Sequence, residues 1–442
     1  MKRFLSILLA AALSLMAVPA SALADEVSET AGSDNPTVGS GEEARSLDEL
    51  LQAGDYVPGR VLAHVNDDFA PVSAYSSNGG GWSASNLYTF DPQPEAGAEA
   101  DVPLARSMPT PEQVILIESG TQSTEDLLRD LADTPGVLAA QPDYVRYIDD
   151  LETQAKPVEE PAAALSADTA PTDDPLIGLQ WHLAPTDEIA GAANVETLWG
   201  DEGIPGRPWQ GKEEVVVAVV DTGVDCTNPD LKDVMWENPG NIGLEGEHGY
   251  DYGMGDDDPM DNDGHGTHVA GIIAASVNNG EGVAGVAPNA KIMALRVANE
   301  SGGFLTSAVL GAYSYMKKAA QARVNLVAAN NSWMGAGESP LLTEVMDDLY
   351  RSNGVLSVCA SGNYAADLDQ SLNLPAGAPT DGAIAVNAVD REGRLASFSD
   401  YGAAATDLAA PGTDILSTAP QGQGIVDGDD PELTVAFDDF ES

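Results

Sequence analysis

Basic residues are scarce in this sequence. Nineteen Lys and Arg stand against 71 Asp and Glu in 442 residues, a formal net charge of −52. A surface of that sign repels phosphate backbones, which excludes nucleic acid as a partner held through phosphate contacts. The two cysteines, Cys226 and Cys359, are too few for a disulfide framework, and neither has a histidine context that suggests a thiol nucleophile. Beyond residue 24 no run is long and apolar enough to span a membrane. No internal repeat is visible. Histidine is also sparse, limited to His64, His182, His248, His265 and His268. The acidity is compatible with calcium binding, with attraction of cationic substrates or with simple solvation.

What is present describes an exported, globular chain. Lys2 and Arg3 precede an apolar stretch, Phe4 to Val18, and Ala22-Leu23-Ala24 supplies a small-x-small cleavage pattern. Residues 1–24 therefore read as a signal peptide, and secretion follows. Residues 25–48 are polar and acidic and are expected to be loose. Residues 49–150 suggest a small α/β unit, with strands at Tyr56–Val65 and 113–117, a helix opened by Ser123, and strand pieces at Val137–Ala140 and Tyr144–Ile148. Residues 151–174 have the Pro, Ala and acid content of a linker.

From Pro175 onward strands and helices alternate. Strands are expected at Val215–Val220, Lys291–Val297, Leu326–Ala329, Val355–Ala360, Ala383–Val389 and Thr406–Ala409. Helices are expected over 266–275 and 304–320. A third follows Ser339-Pro340, an N-cap with proline at the first helical position, and stops at Gly354. This alternation predicts an α/β fold with a doubly wound, mostly parallel sheet, whose sites lie at the C-terminal ends of the strands.

Three segments could carry chemistry. Asp221 ends the β-branched run VVVAVVD and could orient a histidine or merely cap a turn. His265 lies in DNDGHGTHVAG between two glycines, just before an apolar helix. His268, one turn later, is more suited to packing or a backbone bond. The two could also ligate a metal, although no third nitrogen or sulfur ligand is evident. Asn363 follows a strand and a glycine in SVCASGNYA, where a fixed amide could donate to a developing oxyanion or simply occupy a turn.

Taken together, VAVVDTGVD, GHGTHVAG, GVAGVAP at 282–288, NNSW at 330–333, ASGN at 360–363 and APG at 410–412 resemble the subtilisin-like serine proteases (subtilases) in content and order. The resemblance covers about 175–420. More weakly, LLRDLADTPGVLAAQPDYVRY resembles the family's inhibitory propeptide, which makes 25–150 an α+β propeptide-like domain. The resemblance implies peptide-bond hydrolysis of a protein or peptide substrate by an Asp, His, Ser triad. Asp221 would hold the His265 imidazole, His265 would move the proton, and Asn363 would donate to the oxyanion. Ser332, Trp333, Met334 and Gly335 would line the substrate cleft, with Met334 where the family usually has glycine, narrowing a specificity pocket. The chain's own propeptide would be a second partner.

The resemblance also implies structural calcium. Asp230 stands nine residues past Asp221, and the loop SVNNGEGV would add Asn279 by side chain and Val277, Glu281 and Val283 by backbone oxygen. A second site could use Asp251, Asp256 and Asp258. One family feature is missing: no Gly-Thr-Ser segment occurs anywhere, and Ser417 in DILSTAP lacks the glycine-rich turn and following helix of a nucleophile. The expectation is a subtilase catalytic domain, 175–442, cut before its serine and inactive by itself. A non-catalytic peptide-binding relative and an extracellular calcium-binding module remain alternatives.

Overall fold

The computed structural model of the protein describes residues 37–38, 45–69, 82–91, 111–147, 172–196, 199, 214–336, 339–371, 373–421, 425–427 and 430–438. The expected signal peptide and nearly all of the expected linker lie outside the described residues.

The stretch expected to be loose has local order at its end. Thr37–Val38 (β1) pairs antiparallel with Arg45–Ser46 (β2), and Ser46 opens the helix Leu47–Gln52 (α1). The reason is a capping box. The Ser46 hydroxyl accepts from the Glu49 N–H, and the Glu49 carboxylate accepts from the Ser46 N–H at 2.9 Å. The chain continues through Tyr56–Val65 (β3), Trp82–Thr89 (β4), Gln113–Ser119 (β5), Thr124–Ala132 (α2) and Val137–Tyr147 (β6). Strand β4 has no sequence counterpart above, because its Ser, Ala and Asn positions carry little apolar signal; pairing with β5 holds it. The two strand pieces expected at 137–148 are one strand that passes through Pro142.

Alternation along β3 and β5 sends side chains to two cores. Val61, Ala63, Ile115 and Ile117 pack under Leu127, Leu128 and Leu131 of α2. Leu62, Val114 and Leu116 face the other way and join the main core.

That main core belongs to a seven-stranded parallel sheet. Its strands are Val215–Asp221 (β7), Gly249–Asp251 (β8), Ala290–Arg296 (β9), Leu326–Asn331 (β11), Leu356–Ala360 (β13), Ala383–Val389 (β15) and Leu408–Pro411 (β16), in the order β16-β15-β13-β11-β7-β9-β8. Both faces are covered. Val216, Ala218 and Val220 pack toward the helices Thr306–Gln321 (α4) and Pro340–Asn353 (α5), while Val219 packs toward His265–Ala274 (α3). The doubly wound α/β expectation therefore holds. Helix α5 begins and ends at the expected residues, with the Ser339 hydroxyl accepting from the Leu342 N–H and Gly354 at φ 74°. Leu305, inside the helix expected over 304–320, instead ends the short strand Gly303–Leu305 (β10).

Strand β10 joins the N-terminal unit to the rest. It pairs antiparallel with the end of β6, giving a five-stranded sheet in the order β10-β6-β3-β5-β4. Smaller pairings complete the chain. Gly335–Ala336 (β12) pairs with Asn373–Leu374 (β14), and Ile415–Thr418 (β17) and Ile425–Asp427 (β18) flank Asp430–Asp438 (β19).

Polar contacts stitch the N-terminal sheet onto α4 and α5. Asp143 accepts from the backbone N–H and the hydroxyl of Ser307, both at 2.8 Å, in the first turn of α4. The Lys317 ammonium donates to Asp348 at 2.7 Å and to the Thr89 carbonyl at 2.8 Å, and the Tyr88 hydroxyl also donates to Asp348. His64 of β3 lies 3.0 Å from Glu112 through Nε2 and 3.0 Å from Glu344 of α5 through Nδ1, with the Phe90 ring beside it.

Burial pulls the His64 pKa down, but the two carboxylates together outweigh it and leave it raised. A histidine pKa raised on folding contributes stability that is fully present below the unfolded value near 6.5 and is lost as pH rises through the folded value. Unfolding followed between about pH 6 and about pH 9 is therefore expected to show a stability loss that His64→Gln removes from the difference curve. Identical pH slopes for the two proteins would refute the bridge.

Candidate active site

Strand β7 delivers Asp221 to the sheet end as a fully buried residue. Its carbonyl accepts from the Val297 N–H at 2.9 Å, and its Oδ1 accepts from the Thr222 N–H at 2.7 Å. The same Oδ1 lies 2.7 Å from Nδ1 of His265, which is itself 4% exposed. An ionised carboxylate accepts only, so this contact fixes the proton on Nδ1 and leaves Nε2 as the basic nitrogen. His265 is the first residue of α3 rather than the residue before it.

The close approach of α3 to β7 depends on glycine. A Cβ at Gly266 would lie 2.1 Å from the Gly223 carbonyl oxygen and 3.1 Å from Cβ of Asp221. The Gly266 N–H donates to the Thr222 hydroxyl, tying the helix start to the residue after Asp221. Gly223 and Gly264 adopt φ 111° and 125°, a region that a side chain disfavours. Gly264 cannot cap α3, and Asp261 does so instead. Its Oδ1 accepts from the Asp263 and Gly264 N–H groups, and its Oδ2 accepts from the N–H and hydroxyl of Thr267. Asp263 accepts from the His265 N–H, and burial followed by the nearby Asp261 raises its pKa.

Arg296 braces this loop from β9. Its guanidinium donates to the Met260 carbonyl at 2.7 Å and the Asn262 side chain at 3.1 Å, and pairs with Asp251 at 3.3 Å. Asp251 thus serves as a counter-ion. Among the described residues no group of three or more His, Cys, Asp or Glu converges to hold a metal ion. Asp251, Asp256 and Asp258, expected as a second calcium site, are therefore not assembled as a carboxylate cage; the Asp256 and Asp258 side chains accept local backbone N–H groups instead.

The loop expected to hold the first calcium folds onto Asp230. Asp230, fully buried, accepts from the Asn279 amide at 2.8 Å through Oδ1 and from the Val283 N–H at 2.9 Å through Oδ2. No cationic side chain pairs with it among the described residues, and burial pushes its carboxyl up to about 8. Two acids from the end of the expected linker close the loop. Asp174 accepts from the Asn278 and Asn279 N–H groups, and Asp173 from the Gly280 N–H. Composition hid them inside an acidic linker.

Asn363 is half-buried just past β13, at the same sheet end as Asp221. Its turn is held by Asp400, which was not singled out from the sequence. Asp400 Oδ1 accepts from the Tyr364 and Ala366 N–H groups at 2.8 and 2.9 Å, and a Cβ at Gly362 would lie 2.1 Å from Oδ2. Ser332 to Gly335 follow β11 at that end too. Trp333 is buried against Phe304, ring centroids 6.1 Å apart. The Met334 sulfur accepts from the Asn373 amide at 3.5 Å, and the Gly335 N–H donates to the Asn373 side-chain oxygen at 3.2 Å. His268 Nε2 contacts the Ile415 carbonyl at 3.1 Å, a backbone partner rather than a metal. The Ser417 hydroxyl is fully buried and donates to the His268 carbonyl at 2.7 Å, which removes it as a nucleophile.

Comparison with known proteins agrees with this geometry. A family model described as the subtilase family, Peptidase S8, matches residues 212–432. A thermophilic serine proteinase of Bacillus sp. (strain AK1) is 38% identical over 202 residues, covering 46% of this chain and 45% of that protein. The major intracellular serine protease of Bacillus subtilis (strain 168) is 35% identical, covering 50% and 63%. Thermitase of Thermoactinomyces vulgaris is 36% identical, covering 46% and 65%. The chain thus spans less than two thirds of the length of each of these relatives. Fervidolysin from Fervidobacterium pennivorans, solved as a keratinolytic enzyme related to subtilisin, shares the fold with TM-score 0.58 at 23% identity, covering 93% of this chain and 55% of that one. With a family model spanning half of its residues, this chain belongs to the subtilase family.

Proposed function

We propose that the chain is a secreted precursor of a serine-type endopeptidase, in which Asp221 and His265 are two members of an Asp-His-Ser triad. The buried 2.7 Å bond between them carries the reading. In the reaction a serine hydroxyl attacks the scissile carbonyl, and His265 Nε2 takes its proton and returns it to the leaving amine. Asp221 stabilises the imidazolium that forms. The Asn363 amide donates to the oxyanion from the turn that Asp400 holds. Met334, buried against Asn373, narrows the adjacent pocket. Residues 1–24 support export, and no helix among the described residues is long and apolar enough to cross a membrane. The N-terminal sheet on α4 and α5 supports a propeptide role.

The 442 residues contain no Gly-Thr-Ser segment, and Ser417 is committed to backbone. The nucleophile is therefore not supplied by these residues. Casein hydrolysis by the 442-residue chain is expected to stay within about 10³–10⁴-fold of the uncatalysed rate. Faster hydrolysis, lost in His265→Ala, would overturn that expectation and place the nucleophile among these residues. Tight peptide binding without hydrolysis would favour a non-catalytic binding protein.

Calcium fits the Asp230 loop. A buried carboxylate without a counter-cation among the described residues, the Asn279 amide oxygen and the backbone oxygens of Val277, Glu281 and Val283 would form a hard-oxygen donor set suited to it. Bound there, the ion neutralises Asp230 and pins residues 276–283 to the segment after β7. The melting temperature is expected to rise with calcium and fall with a chelator. Stabilisation should reach about 2.7 kcal/mol at 100 times the dissociation constant, and Asp230→Asn should remove it. A melting curve indifferent to calcium would rule the site out.

A further inference from the structure

The end of β6 lies where an extended peptide would bind. Tyr147, Arg146 and Val145 pair with Gly303, Phe304 and Leu305 of β10, and β12 borders the strand through Gly335. Within this arrangement Arg146 is 1% exposed. Arginine is almost never so buried unless it is paired. Its Nη1 donates to the Gly335 carbonyl at 3.2 Å, while Nε and Nη2 have no hydrogen-bond partner among the described residues. Gly335 has no side chain to obstruct it. A Cβ there would lie 2.6 Å from Nη1 and 2.9 Å from Cγ of Arg146. Directly opposite Arg146 in the register stands Phe304, whose ring packs toward Trp333. Burial pulls the guanidinium down to about 10, so it stays charged at neutral pH.

We infer that the cleft between β10 and Ser332–Gly335 carries an arginine subsite, so that the preferred substrates are extended peptides presenting arginine on the N-terminal side of the bond to be cut. The inference rests on reading this cleft as the substrate cleft. The direction follows from the pairing. From Val145 to Tyr147 the strand runs toward the start of β10, and the chain leading into β10 begins at Val297, whose N–H is bonded to Asp221. The strand direction at Arg146 therefore points toward the catalytic pair. Main-chain pairing to β10 accepts any sequence, so selectivity comes from the side chain that enters beside Gly335. A planar fork reaching a carbonyl suits arginine better than lysine.

The test vacates the pocket in the full chain. Arg146→Ala is expected to melt below the wild type. Millimolar n-propylguanidine should restore part of that loss in Arg146→Ala and leave the wild type unchanged, while n-propylamine restores none. Equal rescue by the amine, or no rescue by the guanidine, would overturn the inference. In the same scans Arg146→Lys is expected to melt below the wild type, since an ammonium cannot present the planar fork to the Gly335 carbonyl; equal melting would also refute it. Should Arg146→Ala fail to fold, the comparison of Arg146→Lys with the wild type carries the test. Casein hydrolysis separates the two readings. Arginine selectivity leaves the subsite standing whatever the turnover, whereas hydrolysis that is lost in His265→Ala but comes with no arginine selectivity supports the endopeptidase and overturns the subsite.

Discussion

The buried hydrogen bond from His265 to Asp221 is the constraint on which the surrounding structure depends. Placing a carboxylate and an imidazole 2.7 Å apart with almost no solvent contact requires two backbones to approach more closely than side chains permit. Gly266 has no Cβ where one would strike Gly223, and Gly264 turns through a conformation unsuited to other residues. The helix that results begins without a capping side chain of its own, so Asp261, four residues before it, accepts from the Gly264 and Thr267 N–H groups. Arg296 then fixes the Asp261 loop by holding the flanking Met260 carbonyl and the Asn262 side chain. Each of these residues serves the geometry of one imidazole.

The same economy of approach recurs at the substrate side. Gly362 leaves room for Asp400, which fixes the turn of Asn363, and Gly335 leaves room for Arg146. The N-terminal sheet meets the main body through charged and polar groups buried between the two, including Lys317 with Asp348 and Asp143 with Ser307. A buried pair of this kind is weak evidence for net stability, but breaking one partner leaves an uncompensated charge. Such contacts fix the docking geometry more than they add attraction, which suits a unit that presents its last strand to the cleft in one register.

Much of the fold was legible because the signals were local. A β-branched run gave β7, and the Ser339-Pro340 start with the Gly354 stop gave α5 to the residue. The Asp221 and His265 motifs pointed to their pair, since glycines flanking a histidine have few other uses. Other features were hidden because they depend on tertiary partners. Strand β4 is polar and exists through pairing with β5. Asp400 and Asp174 look like ordinary acids in a chain with 71 of them, and only the N–H groups they meet distinguish them. Asp251 is similar: an acid-rich stretch suggests a metal loop, and only the structure shows Arg296 paired with this acid. Arg146 carried no signal at all, because its burial comes from a strand more than 150 residues away in sequence.

The central claim is that Asp221 dictates the proton position on His265. Nitrogen and proton resonances of the imidazole, recorded on the full chain above the histidine titration, test it directly. The account predicts a neutral ring protonated at Nδ1, with a strongly deshielded Nδ1 proton that disappears in Asp221→Asn. A ring protonated at Nε2, or an Nδ1 proton unaffected by that substitution, would contradict it.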